Sequence, residues 1–263
     1  LISAMKYGSL SGGKKIRSSI IMGTGKLFDI NNSKLLNLCG AVECIHSYSL
    51  IHDDLPCMDN DRMRRGKLAT HVKFGESTAI LAGNSLLTLA FEMIVDKSYK
   101  IESKTKTELI RALALCSGHT GIAGGQYLDL SFEKKKKKFS DILNMQRKKT
   151  GKLFNFCCFA PGVIAKKKFG DLKSLSKLGE DIGLLFQLAD DFIDFSGSKK
   201  LAGKSTKKDQ KKGKSTLISL MGYQKANSYA LRLKKNILSK LQKHGKKAND
   251  LINTVEFILK RNF

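Results

Sequence analysis

The sequence predicts an all-α protein in one domain of 263 residues, and three observations predict it. Only 2 prolines interrupt the chain, so long helices can run unbroken. Apolar residues recur at helical spacing, as at Leu38, Ala41, Ile45 and Tyr48, and again at Leu178, Ile182, Leu185 and Leu188. Strand-like alternation with hairpin signals is hard to find. At 41% hydrophobic, the chain can build a substantial core and is too apolar for a disordered basic tail.

In order along the chain, helices are expected over 13–28, 33–56, 76–97, 104–123, 139–160, 170–196, 214–222, 224–243 and 247–260. The first opens after Gly12 and Gly13. A break at 29–33 ends in Ser33, a suitable N-cap for the second. Further breaks fall at Gly121 to Gly125, at the lysine run 134–138, and at 196–213. There is no internal repeat and no linker, so the domain is expected to cover 1–263.

Composition excludes several classes. No apolar run reaches the ~18 residues of a membrane span, and no charged-then-apolar leader opens the chain. The six cysteines, Cys39, Cys44, Cys57, Cys116, Cys157 and Cys158, form no Cys-x-x-Cys, so zinc ribbons and thioredoxin-like sites are unsupported. Adjacent thiols at Cys157 and Cys158 in an apolar stretch suit a reducing compartment, and a cytoplasmic protein is expected. The net charge of +25 raises nucleic acid as a partner, but 40 of the 48 cations are Lys. Bidentate recognition favours Arg, and no aromatics interleave with 134–138 or 166–168. The expectation is no specific nucleic acid, only salt-sensitive attraction to polyanions.

Two acid-rich segments stand at the ends of apolar helical stretches. The first is Asp53-Asp54-Leu-Pro-Cys-Met-Asp59, followed by Arg64 and Arg65; the second is Gln187-Leu-Ala-Asp190-Asp191-Phe-Ile-Asp194. Asp190 and Asp194 are about 40° apart around a helix, and two such carboxylates repel unless a cation intervenes. Oxygen ligands of this kind suit Mg²⁺, whose shell is usually completed by substrate phosphates. Asp53 and Asp59 would be about 120° apart on an ideal helix, so Pro56 must mark an unwinding that swings Asp59 back. Lys14 and Arg17 follow Gly12-Gly13 at a helix start, an arrangement suited to an anion. His46 lies nearly on the face of Asp53, two turns earlier.

These residues resemble the trans-polyprenyl diphosphate synthases, most closely the bacterial farnesyl-producing branch. Besides the two aspartate-rich motifs, Gly12-Gly-Lys, His71-Val-Lys-Phe-Gly-Glu76, Leu81-Ala-Gly-Asn, Gly124-Gly-Gln-Tyr-Leu-Asp129, Lys149-Thr-Gly and Gly213-Lys-Ser-Thr216 follow in family order. The resemblance implies an isoprenoid-synthase bundle around a central apolar cavity. Asp53, Asp59 and Asp190, with Asp54 and Asp194 in support, would hold Mg²⁺, three ions per site with substrate bound. Arg64, Lys149, Lys204 and Gln187 would contact the allylic diphosphate. Lys14, Arg17, His46 and Arg65 would bind isopentenyl diphosphate. Thr150 and Gln187 would turn oxygen dipoles toward the developing cation, and Asp191 completes the catalytic set. The implied reaction is head-to-tail condensation to farnesyl diphosphate in a homodimer, with a geranylgeranyl product as the alternative and a basic nucleic-acid binder more remote.

The family resemblance also makes Tyr48, five positions before the first Asp, the residue that limits product length, with Ser49 beside it. Helix geometry alone puts Ser49 about 40° from Asp53 and Tyr48 about 140° away. Against the family pattern, Lys15 replaces Arg, Ser18 replaces Pro, and Asp61-Arg62 stands where more acids are common. The helix that family members carry upstream of Gly-Gly-Lys is expected to be missing.

Overall fold

A computed structural model describes residues 1–196 and 216–260. The helices in chain order are α1 (Ile2–Leu10), α2 (Ile16–Lys26), α3 (Ser33–Asp53), α4 (Thr70–Phe74), α5 (Glu76–Val95), α6 (Ser103–Ser117) and α7 (Ile122–Ser131). They continue with α8 (Phe139–Gln146), a π-helical turn (Arg147–Gly151), α9 (Lys152–Ile164), α10 (Phe169–Ser196), α11 (Leu217–Met221), α12 (Tyr223–Gln242) and α13 (Asn249–Lys260). Among the described residues the only strands are the two-residue β1 (Met63–Arg64) and β2 (Lys67–Leu68), an antiparallel hairpin.

The core follows from the apolar stripes. α3 buries Leu35, Leu38, Val42, Ile45 and Ile51, and lies chiefly against α5. α9 is nearly all apolar, burying Phe154, Phe156, Cys157 and Cys158, because α10, α2 and α6 cover it on several sides. α10 packs along α9 and delivers its C-terminal acids to the end of that core.

Several boundaries differ from expectation for physical reasons. Helix α1 precedes the Gly-Gly-Lys motif, where no helix was expected; of its residues only Ala4 is buried, so it has almost no apolar period to read. Ser33 is the first residue of α3 rather than its cap, and its N–H donates to the Asn31 side chain at 2.9 Å. The expected break at Gly121 to Gly125 is instead the start of α7. Gly125 lies inside that helix because a Cβ there would stand 2.2 Å from the backbone nitrogen of Lys149. The expected helix 139–160 is divided by the π turn and runs on to Ile164, with Pro161 buried inside it.

Helix α5 bears on the expectation that no apolar run is long enough to span a membrane. By length and mean hydropathy of 1.6 it passes the composition test for a membrane span, although Asn84, Ser85, Thr88 and Glu92 interrupt its apolar run. Its Ala79, Ala82, Leu86, Ala90 and Ile94 are buried, as in the core helix of a folded domain.

Candidate active site

The first acid cluster is made by a turn that closes back on its own helix. Helix α3 stops at Asp53, and after Pro56 the Asp59 N–H donates to the Asp53 carbonyl at 2.8 Å. Met58 and Asn60 both donate to Leu55, and Asp61 donates to the Asp54 carbonyl at 3.1 Å. Six residues of separation thus become one local turn, which brings Asp59 back to Asp53. Burial, then the negative charge of Asp59 and Asp54, pushes the Asp53 carboxyl up from 3.8 to about 6, against the opposing pull of Lys149 and Arg64.

Asp54 faces a different partner. It is 2% exposed, and both its oxygens accept from Arg64 Nε, at 3.1 and 3.2 Å, while Arg64 Nη2 also bonds to it. Buried Asp61 lies 3.7 Å from the same Nη2. Burial opposes ionisation of Arg64, but Asp54 and Asp61 together hold its pKa above the ordinary value. The structure therefore pairs Asp54 with the Arg64 guanidinium. Asp61 closes the first acid-rich segment of the sequence, which gave it no role of its own.

A cationic pocket adjoins this cluster. The hairpin turns at Arg65 and Gly66, both at positive φ (52° and 74°), a two-residue turn that suits the right-handed twist of its strands. Arg65 thereby reaches Gly12, bonding its carbonyl through Nη1, and lies against Gly13, where a Cβ would stand 2.8 Å from the Arg65 guanidinium carbon. Gly13 itself has φ 114°, so it serves both the turn and the arginine. From the start of α2, Arg17 points over the Phe154 ring at 4.8 Å, and its buried Nε has no hydrogen-bond partner. Burial lowers the Arg17 pKa, offset by Cys157, Glu43 and Asp190. His46 is held well below its usual pKa by burial and then by Arg17, Arg65, Arg64 and Lys15, so its imidazole is neutral among four cations. Lys15 pairs with Glu43 at 3.3 Å, and the Ser18 hydroxyl donates to the same carboxylate at 2.8 Å. Lys14 lies over Phe257, 4.7 Å from the ring centre.

The second cluster is set by α10 and the π turn. A π turn widens a helix locally and is frequent at functional sites; here it presents Lys149 and Thr150. Lys149 bonds Asp129 on α7 at 2.8 Å and acts electrostatically on Asp53. The Thr150 hydroxyl donates to Gln187 at 3.0 Å, and Gln187 donates to Asp191 at 3.0 Å. Gln146, which no sequence signal singled out, donates to the other oxygen of Asp191 at 3.2 Å. Asp190 and Asp194 are half-buried on α10, and Asp190 acts on Arg17. Lys204 and positions 213–215 lie outside the described residues.

Tyr48 is buried on α3, its hydroxyl donating to the Ser117 carbonyl at 3.4 Å and its ring edge-on to His52. Ser49 donates back to the His46 carbonyl at 2.9 Å and is only half-buried. Among the described residues no three His, Cys, Asp or Glu side chains converge closely enough to enclose an ion by themselves.

Acid-rich helix ends, linked through Lys149 and Arg17 to a cationic pocket in an all-α bundle, define a class of enzyme that handles diphosphate esters. Within that class the chain belongs to the polyprenyl synthetase family, whose sequence profile matches residues 1–255. It is 39% identical over 267 residues to the farnesyl diphosphate synthase of Escherichia coli (strain K12), covering 100% of this chain and 89% of that one. Its fold is similar to that of an FPP/GFPP synthase from Zymomonas mobilis, with a TM-score of 0.89 and 37% identity over 98% of this chain and 88% of the other. It is also similar to a geranyltransferase from Helicobacter pylori complexed with magnesium and isoprenyl diphosphate, with a TM-score of 0.85 and 32% identity over 98% and 86% of the two chains.

Proposed function

We propose that the chain is a Mg²⁺-dependent prenyltransferase that condenses isopentenyl diphosphate head-to-tail with dimethylallyl and then geranyl diphosphate, giving farnesyl diphosphate and pyrophosphate. The observation that carries this reading is the fold-back of Asp59 onto Asp53, within electrostatic reach of Lys149. Burial and the neighbouring acids oppose ionisation of the Asp53 carboxyl, and a cation held there would relieve that opposition.

Asp53 and Asp59, with Asp190 and Asp194, would hold Mg²⁺; Asp54 is left out because Arg64 takes both its oxygens. When bound, Mg²⁺ neutralises the diphosphate oxygens and favours departure of pyrophosphate. Lys149, steadied by Asp129, would grip the allylic diphosphate from the π turn. Arg17, Arg65 and neutral His46 would receive the second diphosphate, supplying the anion that the pocket's excess of cations calls for. The buried walls of α3, α9 and α10 would keep water from the allylic cation. Tyr48 would close the cavity below Asp53 and stop growth at fifteen carbons.

Ile80 and Leu81 on α5 and Leu115 on α6 are exposed, and we assign this apolar surface to self-association as a homodimer. All six cysteines are free thiols, which suits the cytoplasm.

The test is product analysis with labelled isopentenyl diphosphate and either allylic substrate, with Mg²⁺ and with chelator. A Mg²⁺-dependent C15 product is expected. A C20 product would keep the reaction and overturn the role of Tyr48, while no prenyl product from folded protein would overturn the reading.

A further inference from the structure

Two amides, one carboxylate and one hydroxyl beside the π turn form a chain of hydrogen bonds with a direction. Gln187 Nε2 donates to Asp191 Oδ1 at 3.0 Å, and Gln146 Nε2 donates to Asp191 Oδ2 at 3.2 Å. An ionised carboxylate only accepts, so each amide facing it must present its NH₂ end. Gln187 is therefore obliged to turn its carbonyl oxygen to Thr150, whose hydroxyl donates to it at 3.0 Å. A hydroxyl has one hydrogen, and Thr150 spends it there. Anything arriving beside Lys149 then meets the lone pairs of Thr150 and of the Gln187 carbonyl.

That is the polarity a developing allylic cation needs, because oriented dipoles act most strongly in a site shielded from water. With Gln187 flipped, its NH₂ would donate to Thr150 and the hydroxyl hydrogen would swing outward, opposing positive charge. Gln146 shows how firmly Asp191 sets amide orientation. Its Oε1 is buried without a partner, an unfavourable arrangement, yet its Nε2 still faces the carboxylate. Gln146 is 4% and Asp191 5% exposed, so water does not readily replace either group.

We propose that Asp191 and Gln146 are positioning residues: the Asp191 carboxylate, held by Gln146, fixes the polarity of Gln187 and Thr150 toward the reacting carbon and is not itself a metal ligand. The proposal rests on the prenyl-transfer reading for its consequence and on the hydrogen-bond chain for its geometry.

Asp191→Asn allows Gln187 to turn over. Its kcat should fall roughly 10- to 100-fold, with KM for both diphosphates and the Mg²⁺ concentration for half-maximal rate held within about two-fold. Pairing it with Gln187→Glu keeps the net charge and restores the direction, since the new carboxylate offers oxygen to both neighbours. The double variant should recover kcat to within about five-fold of wild type, a coupling that simple loss of packing would not produce. A raised Mg²⁺ requirement in the single variant, or a double variant no better than the single, would overturn the proposal. Gln146→Leu should lower kcat about three-fold or more without moving the Mg²⁺ requirement; unchanged kcat would remove Gln146 from it. A readout independent of turnover is the side-chain amide spectrum of protein labelled with ¹⁵N-glutamine, without metal. The Gln187 NH₂ proton bonded to the carboxylate should appear downfield and shift on Asp191→Asn. An unshifted resonance would sink the geometry, whereas absence of prenyl transfer by wild-type protein would sink only the reaction it serves.

Discussion

Lys149 Nζ lies 2.8 Å from Oδ2 of Asp129, an ion pair joining the π turn to helix α7. Asp129 is 8% exposed, so the pair is shielded from solvent and more strongly coupled than a surface bridge. Asp129→Ala should leave Lys149 less well positioned, lowering kcat/KM for the allylic substrate about ten-fold with little change for isopentenyl diphosphate. Steady-state kinetics with each substrate varied in turn checks this. Equal losses for both would show a general disturbance instead.

The same helix contact makes a stability prediction. A Cβ at Gly125 would stand 2.2 Å from the nitrogen and 2.4 Å from the Cα of Lys149, and backbone cannot swing aside as a flexible side-chain tip can. Gly125→Ala should cost about 1–3 kcal/mol of stability and depress activity further by displacing Lys149. Urea unfolding and turnover measured on the same sample report both effects.

Asp53 carries a pH prediction. In the metal-free fold its carboxyl is pushed up from 3.8 to about 6, so the folded chain favours the protonated form. Its contribution to stability is greatest below the unfolded value and is lost as pH rises through about 6. Asp53→Asn removes that loss, and in chelator at pH 7.5 the variant should be more stable than wild type by about 1–3 kcal/mol. The difference should vanish near pH 4. Denaturation at the two pH values tests the sign, and Mg²⁺-dependent turnover should be abolished in the same variant.

Tyr48 bears on product length. Buried, and bonded to the carbonyl of Ser117 at 3.4 Å, it fills space between α3 and the end of α6. Tyr48→Ala should open that space and shift the product beyond C15, with condensation itself retained. Chromatography of the dephosphorylated products decides it, and an unchanged C15 product would place the limit elsewhere.

A last prediction concerns Arg64. Asp54 bonds its guanidinium and Asp61 lies 3.7 Å from the same nitrogen, while the Asp61 N–H holds the Asp54 carbonyl at 3.1 Å. Asp61→Asn should weaken allylic diphosphate binding several-fold through misplaced Arg64. Calorimetric titration with a non-hydrolysable allylic diphosphate measures that loss directly.

The helical fold was legible from the sequence because a 3.6-residue period shows wherever one face of a helix meets a core, as along Leu38, Ala41, Ile45 and Tyr48. The two aspartate clusters were legible for a related reason: carboxylates at the ends of apolar helices need a cation or a donor. Helix α1 was not legible, since it buries only Ala4. Nor was α7, whose glycines read as a break although Gly125 serves close contact with Lys149.

What only the tertiary structure decided is the division of labour among acids that look alike in sequence. The return of Asp59 to Asp53 follows locally from Pro56, but Asp54 turns to Arg64 and Asp191 takes two amides. Sequence states which residues can ionise and roughly which helix end they occupy. Which neighbour Asp54 and Asp191 meet depends on the hairpin at Arg65 and Gly66, a π turn at Lys149 and a glycine contact between helices. These are long-range or non-ideal geometries with no period of their own, so they come into being only when the helices pack.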